Sequence, residues 1–220
     1  ADPVDATEEC RRVLPVIRAL AARLDLPISV DTYKAQVADA AVQAGAAIVN
    51  DVSGFLYEPA LAGVVARTGV GVVLMHTRGR SRDMYRLADY EDVVPAVVEE
   101  LQQRLHVARA AGIPDSRVIV DPGIGFAKRA GHSYGVLARL PEVADALGLP
   151  LLAGPSRKSF MREALGDRPA DERDWGTAAA VTAAVLGGAH IVRVHAVAEM
   201  VQVVRVAEEI RRRGREQTNA

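Results

Sequence analysis

Apolar positions alternate between two lengths along this chain. Short runs rich in Val and Ile lie at Ile28–Val30, Ala47–Val49, Gly71–Met75, Val118–Val120, Leu151–Ala153 and Ile191–Val194. Each is too short for a helix and is bounded by Gly, Pro or polar residues, so each predicts a buried strand. Longer segments with helical spacing separate them. Over Thr32–Ala44, the residues Val37, Ala38, Ala41 and Val42 share one face, and Gly45 sits just past the last turn. An opening helix is expected with Asp5 or Thr7 as its cap and Val13, Leu14, Ile17 and Leu20 as its buried stripe. Asp89–Ala111 is the longest helical stretch by pattern. A last helix runs from about Ala198 into Arg211–Arg213, read as a solvated cationic end.

A helix followed by six strand–helix units predicts an α/β fold with a parallel sheet. The strand ends decide between an open sheet and a barrel. Polar groups follow the runs at once: Asp31, Asn50 with Asp51, His76, Asp121, and Ser156-Arg157-Lys158. The sixth run carries Arg193, with His195 directly after it. In a barrel such groups converge on one mouth, whereas in an open sheet only those near a switch point meet. The expected fold is therefore a (β/α)8 TIM barrel lacking its first two strands, because a closed barrel needs eight units and six are counted. Two strands and one helix are expected to be missing from the N-terminus. No linker or low-complexity stretch divides the chain, so residues 1–220 are read as a single domain.

Composition narrows the class. The 220 residues are 50% hydrophobic and 25% charged, which excludes disorder and collagen-like order. With 27 basic against 28 acidic residues there is no basic excess for nucleic acid. The one cysteine, Cys10, cannot form an internal disulfide, and a cytoplasmic location is expected. The first residues show no targeting pattern, and Gly176–Val192 is too weakly apolar to span a bilayer, so no membrane partner is expected. The first residue is not Met, as in a processed chain or one that begins inside a longer protein.

Asp121-Pro-Gly-Ile-Gly-Phe126 follows a strand, and its glycines allow close backbone approach. Lys128 stands where a dinucleotide fingerprint needs its third glycine. Gly154-Pro-Ser-Arg-Lys-Ser159 places two cations after a strand, suited to an anion or a ring carbonyl, with surface solubility as the alternative. In Val192-Arg-Val-His195 the period of two puts Arg193 and His195 on one side, where an oxyanion would meet both. Pairing of Arg193 with Asp121 or Asp31 is the competing reading. Asp31 and Asn50 together can read the donor–acceptor edge of a heterocycle, though each alone could cap a helix. His76 is either a ligand or a packed mouth residue. Tyr33 and Trp175 are read as packing, His106 as surface. Asp31, His76, Asp121 and His195 include zinc-ligand types, but no histidine spacing fixes a site. No nucleophile elbow or Cys–His pair is present.

Six motifs carry a resemblance: Ser29-Val-Asp-Thr-Tyr-Lys34, Val49-Asn-Asp-Val-Ser-Gly54, Leu74-Met-His-Thr-Arg-Gly79, Asp121-Pro-Gly-Ile-Gly-Phe126, Gly154-Pro-Ser-Arg-Lys-Ser-Phe160 and Val192-Arg-Val-His195. In order and strand placement they resemble the dihydropteroate synthase family over essentially the whole chain. The resemblance implies condensation of p-aminobenzoate with 6-hydroxymethyl-7,8-dihydropterin pyrophosphate, giving 7,8-dihydropteroate and pyrophosphate. It implies that Asp31, Asn50, Asp121 and Lys158 hold the pterin, with Met75 near it. Arg193 and His195 would hold the pyrophosphate, with Phe126 and Ser156 near p-aminobenzoate. Of these, Asp121, Lys158, Arg193 and His195 would carry the catalysis. It further implies a homodimer and Mg2+ as cofactor. The family's magnesium-binding asparagine belongs to a loop after the first strand, outside this chain. Ala196 stands where the family usually has an aspartate after Arg-Val-His.

Overall fold

The computed structural model describes residues 4–218. Six short strands alternate with helices in two compact units. The first comprises residues up to Thr77 together with Glu99–Val120, and the second comprises Arg78–Val98 with the remainder.

In the first unit, α1 (Ala6–Ala21) is capped by Asp5, whose carboxylate accepts from the Glu8 N–H at 2.9 Å. Then follow β1 (Ser29–Asp31), α2 (Ala35–Gln43), β2 (Ile48–Asp51), α3 (Ala60–Thr68) and β3 (Gly71–Met75). β1/β2 and β2/β3 are parallel, and the sheet order is β1-β2-β3-β4, with β4 at Val118–Asp121. Val30, Val49, Val72, Val73 and Leu74 of the strands are buried, as are Val37 and Ala41 of α2 and Leu61 of α3. Gly45 has φ +114°, and a Cβ there would lie 2.7 Å from the Ala21 side chain, so only glycine lets α1 end this close to the turn after α2. Of the expected α1 stripe, Ile17 is buried and Val13 and Leu14 are half-buried, but Leu20 is 38% exposed. The stripe is covered where α1 packs on α2, and no described residue buries its final turn.

α4 (Val93–Ala110) is shorter than the pattern suggested and is not the longest helix; α9 (Val197–Thr218) exceeds it. The Asp89–Asp92 stretch instead serves as loop, where the Asp89 carbonyl accepts from Arg78 and the Asp92 carboxylate from Arg139. α9 runs past Arg213 because Arg212 and Arg213 pair with Glu209 and Glu216 along its exposed side, extending the helix by i,i+3 and i,i+4 bridges.

The second unit holds α5 (Ala130–Ala138), α6 (Leu140–Leu147), β5 (Leu152–Ala153), α7 (Arg162–Leu165), α8 (Asp174–Leu186), β6 (Ile191–Val192) and α9. β5 and β6 pair in parallel as a separate two-stranded sheet. The last rung is the Arg193 N–H donating to the Ala153 carbonyl at 3.0 Å. Pro155 has no N–H to extend it, so β6 stops before Arg193 and His195. Even so, Val192 and Val194 pack on Val181, Val185 and Met200, while Arg193 and His195 are exposed. The expected alternation of sides therefore holds beyond the strand. Trp175 is 89% exposed and packs in no core; it lies in the first turn of α8, on the side away from buried Thr177. Tyr33 does pack, edge-on to Tyr57 at 5.1 Å, and His106 is exposed on α4. No helix among the described residues is long and apolar enough to cross a membrane.

Candidate active site

Two clusters of polar side chains stand at the C-terminal ends of the strands, one in each unit. In the first, the β1/β2 register sets Asp31 opposite Asn50. Asn50 Nδ2 donates to the Asp31 carboxylate. That bond fixes the amide orientation, because only the NH2 end can donate to a carboxylate. Asn50 Oδ1 is then left buried without a partner, and it is the one such side-chain atom among the described residues. A buried acceptor of this kind is costly unless a donor arrives. Asp51, the next residue, serves its own turn. Its carboxylate accepts from the Ser53 N–H, the Ser53 hydroxyl and the Phe55 N–H at 2.6–2.8 Å. Burial pushes the Asp51 carboxyl up, and those three donors hold it back. Met75 closes β3 as a buried apolar residue. His76 is buried with Nε2 3.1 Å from Glu100 Oε2 on α4, which favours packing over a ligand role.

In the second cluster, Asp121 ends β4 and accepts from the Gly123 N–H at 2.7 Å. Gly125 has φ +79°, and a Cβ there would lie 2.9 Å from Lys158 Cδ. The glycine thus makes room for a lysine side chain of the same site, a use that the motif alone did not reveal. Lys158 Nζ donates to the Ile124 carbonyl and stands 4.3 Å from the centre of the Phe126 ring, a cation–π arrangement. Burial pushes the Lys158 ammonium down to about 8, against the pull of Asp121 and together with the like charge of Arg193. Burial likewise pushes the Asp121 carboxyl up, opposed by Lys158, the Gly123 N–H, Lys128 and Arg193. Asp121, Lys158 and Arg193 thus share one electrostatic environment. Ser156 is buried, with Oγ 2.8 Å from His195 Nδ1 and 3.2 Å from the His195 backbone nitrogen.

The two cations of Ser-Arg-Lys separate in role. Arg157 adopts φ +58° and grips Asp174 of α8 in a two-pronged ion pair at 2.7 and 2.8 Å. Its N–H donates to Thr177 Oγ1, and its carbonyl accepts from Arg173. Arg157 is a structural clamp rather than the anion-binding cation that the motif suggested, and Lys158 alone turns toward Asp121. Lys128, read from the sequence only as a departure from a dinucleotide fingerprint, is a further buried cation beside this cluster. It is 1% exposed, donates to the Phe126 carbonyl at 3.3 Å and adds positive charge near Asp121. A lysine directly after the apolar stretch Pro-Gly-Ile-Gly-Phe-Ala was the available signal. Among the described residues no three His, Cys, Asp or Glu side chains are grouped to hold a metal ion.

Comparison with known proteins agrees with the motifs. Residues 1–195 match the pterin binding enzyme family. The chain is 44% identical to a Synechocystis dihydropteroate synthase, covering 96% of this chain and 72% of that protein. It is 40% identical to the Escherichia coli dihydropteroate synthase, covering 94% of this chain and 73% of that one. Among solved structures, it superposes on dihydropteroate synthase from Stenotrophomonas maltophilia with TM-score 0.90 at 43% identity, covering 94% of this chain and 78% of the other. The Xanthomonas albilineans dihydropteroate synthase with 4-aminobenzoic acid gives TM-score 0.89 at 42% identity, covering 96% and 74%. The six strand–helix units are those of this family's (β/α)8 barrel. With this family match, these identities over most of the chain and the same fold, the chain belongs to the pterin-binding enzymes and, within them, to the dihydropteroate synthases.

Proposed function

We propose that residues 1–220 act as one pterin-binding domain that serves the dihydropteroate synthase reaction of folate biosynthesis. In that reaction p-aminobenzoate displaces pyrophosphate from 6-hydroxymethyl-7,8-dihydropterin pyrophosphate. The observation that carries the reading is Asn50 Oδ1, buried and unpartnered beside Asp31. A pterin edge offers the ring N–H and amino donors that this acceptor, beside the Asp31 carboxylate, lacks. By the resemblance, Asp121 and Lys158 are assigned to the pterin as an acceptor and a donor, and Met75 as an apolar contact. Phe126 and Ser156 are assigned to the p-aminobenzoate side, and Arg193 with His195 to the pyrophosphate.

The chemistry asks for placement more than for a protein nucleophile. The bond between the exocyclic methylene carbon and oxygen breaks, and its electron pair leaves with pyrophosphate. Positive charge then develops on the pterin methylene, where the Asp121 carboxylate is suited to stabilise it. Arg193 and His195 donate to the departing anion. The p-aminobenzoate nitrogen forms the new C–N bond and loses a proton, which gives dihydropteroate. Holding both reactants in line supplies the rest of the rate.

The resemblance assigns Mg2+ to this reaction. Magnesium is held by a few oxygen ligands and substrate phosphates. The described side chains form no acidic group that fits as its cage. A second copy of this chain as partner and a cytoplasmic location complete the proposal. Light scattering at about twice the monomer mass of 23.4 kDa is the expected result for the dimer.

The experiment is a calorimetric titration with 6-hydroxymethylpterin and pyrophosphate, followed by assay of dihydropteroate formation. Saturable pterin binding that Asn50→Leu weakens supports the site. No binding by the unaltered chain overturns it, and binding without turnover identifies a pterin-binding homologue instead.

A further inference from the structure

Ser156 has one hydroxyl proton and two neighbours on a single residue. The His195 backbone N–H can only donate, and at 3.2 Å it occupies one lone pair of Ser156 Oγ. The ring Nδ1 of the same histidine lies 2.8 Å away. Ser156 is buried, and its hydroxyl bonds no other group among the described residues. If Nδ1 carried a proton, Oγ would accept twice and its own proton would be buried with no acceptor. If Oγ–H donates to a bare Nδ1, every group is satisfied. We propose that Ser156 is a positioning residue that holds the neutral His195 ring as its Nε2–H tautomer.

The surroundings make this a fixed arrangement. Arg157, the next residue, is clamped by Asp174, Thr177 and Arg173 with its backbone at φ +58°, which sets Ser156 from α8. His195 is anchored through Val192 and Val194, which pack on Val181, Val185 and Met200. Its exposed edge lies on the same side of the segment as Arg193. The tautomer decides what that edge offers. With Nε2–H it presents a donor to an oxyanion, whereas the other tautomer would present a lone pair and repel one. The consequence for pyrophosphate rests on the assignment of Arg193 and His195 made above; the tautomer itself does not.

Long-range proton–nitrogen correlation spectra of the 15N-labelled full chain, recorded with the imidazoles neutral, test the proposal. The His195 signals are assigned by their loss in His195→Gln. The unaltered chain is expected to show Nε2–H alone, Ser156→Ala a mixture of tautomers, and Ser156→Thr the original form. Pyrophosphate affinity should fall about 3- to 10-fold in Ser156→Ala and return in Ser156→Thr. An Nδ1–H ring in the unaltered chain, or an unchanged tautomer in Ser156→Ala, overturns the proposal. If Ser156→Ala does not fold, the unaltered chain and Ser156→Thr still decide it, since both must show Nε2–H. An Nε2–H ring in a chain that binds no pyrophosphate supports the tautomer and overturns the anion-site assignment.

Discussion

The Asp31–Asn50 pair and the Asp121–Lys158 pair both end strands, but they hold polar groups in different ways. Asp31 takes a neutral amide donor from the adjacent strand, and the register of β1 and β2 makes the pairing almost automatic. What is left over is one uncharged acceptor, Asn50 Oδ1. Asp121 and Lys158 come from separate strand–loop junctions and bring two formal charges into a buried place. Each pushes against desolvation with the help of the other. The first pair is set by local geometry and has little to lose. The second depends on mutual charge, so removing one member leaves the other exposed to the cost of burial.

The largest effect is expected at Lys158. Lys158→Ala should lower pterin affinity by about 100-fold or more, because it removes a ligand donor and leaves Asp121 without its strongest counter-charge. A calorimetric affinity near that of the unaltered chain would break the contrast between the two pairs. Asp121→Asn keeps the shape and removes the negative charge. Turnover should drop about 100-fold, mainly in kcat, because the carboxylate acts on charge that develops in the transition state. A change in KM alone would assign Asp121 to ground-state binding.

Gly125→Ala tests the packing that supports the second pair. Its Cβ would collide with Lys158 Cδ at a backbone angle that alanine rarely adopts. Denaturant unfolding should report a loss of about 1–3 kcal/mol. In the first pair, Asn50→Leu should cost about tenfold in pterin affinity yet change stability by no more than about 1 kcal/mol, since it also removes the unpartnered acceptor. A larger destabilisation would show that the first pair is as interdependent as the second.

The pH dependence of stability gives the smallest signal. Lys158 titrates near 8 in the folded chain against 10.5 as its ordinary value. Between those values the unfolded chain binds more protons than the folded one, so stability should rise with pH. The gain relative to pH 7 is about 1 kcal/mol at pH 9. Unfolding midpoints should show this rise, and Lys158→Met should flatten it. Pterin affinity should move the opposite way over the same window as the ammonium is lost.

Much of this was legible because it is local. Each of the six Val- and Ile-rich runs overlaps a strand, and the polar residue after each of the first four stands at or beside the strand end. Period-two alternation placed Arg193 and His195 on one side even though the ladder stops before them. The helix limits failed where charge intervened. Asp89–Asp92 was drawn into loop bonds, and Glu209 and Glu216 carried α9 beyond Arg213. Trp175 failed for another reason: a large apolar side chain on a helix says nothing of whether a neighbour covers it. Arg157 and Lys158 look alike in the motif, yet one is spent on Asp174 and the other turns inward.

By itself the sequence determined the α/β order, the strand ends and the chemical type of each site residue, because these follow from short-range periodicity and from side-chain chemistry. Its motifs also carried the family resemblance. Only the tertiary structure decided that Gly125 makes room for Lys158, that Lys128 is buried beneath the Phe126 loop, and that Ser156 meets His195 across 39 positions of chain. Such pairings depend on which strand ends are brought together and on how far water is excluded from them. Burial at that point, held back by the opposite charge of the partner, shifts Lys158 down and Asp121 up and turns ordinary side chains into a site.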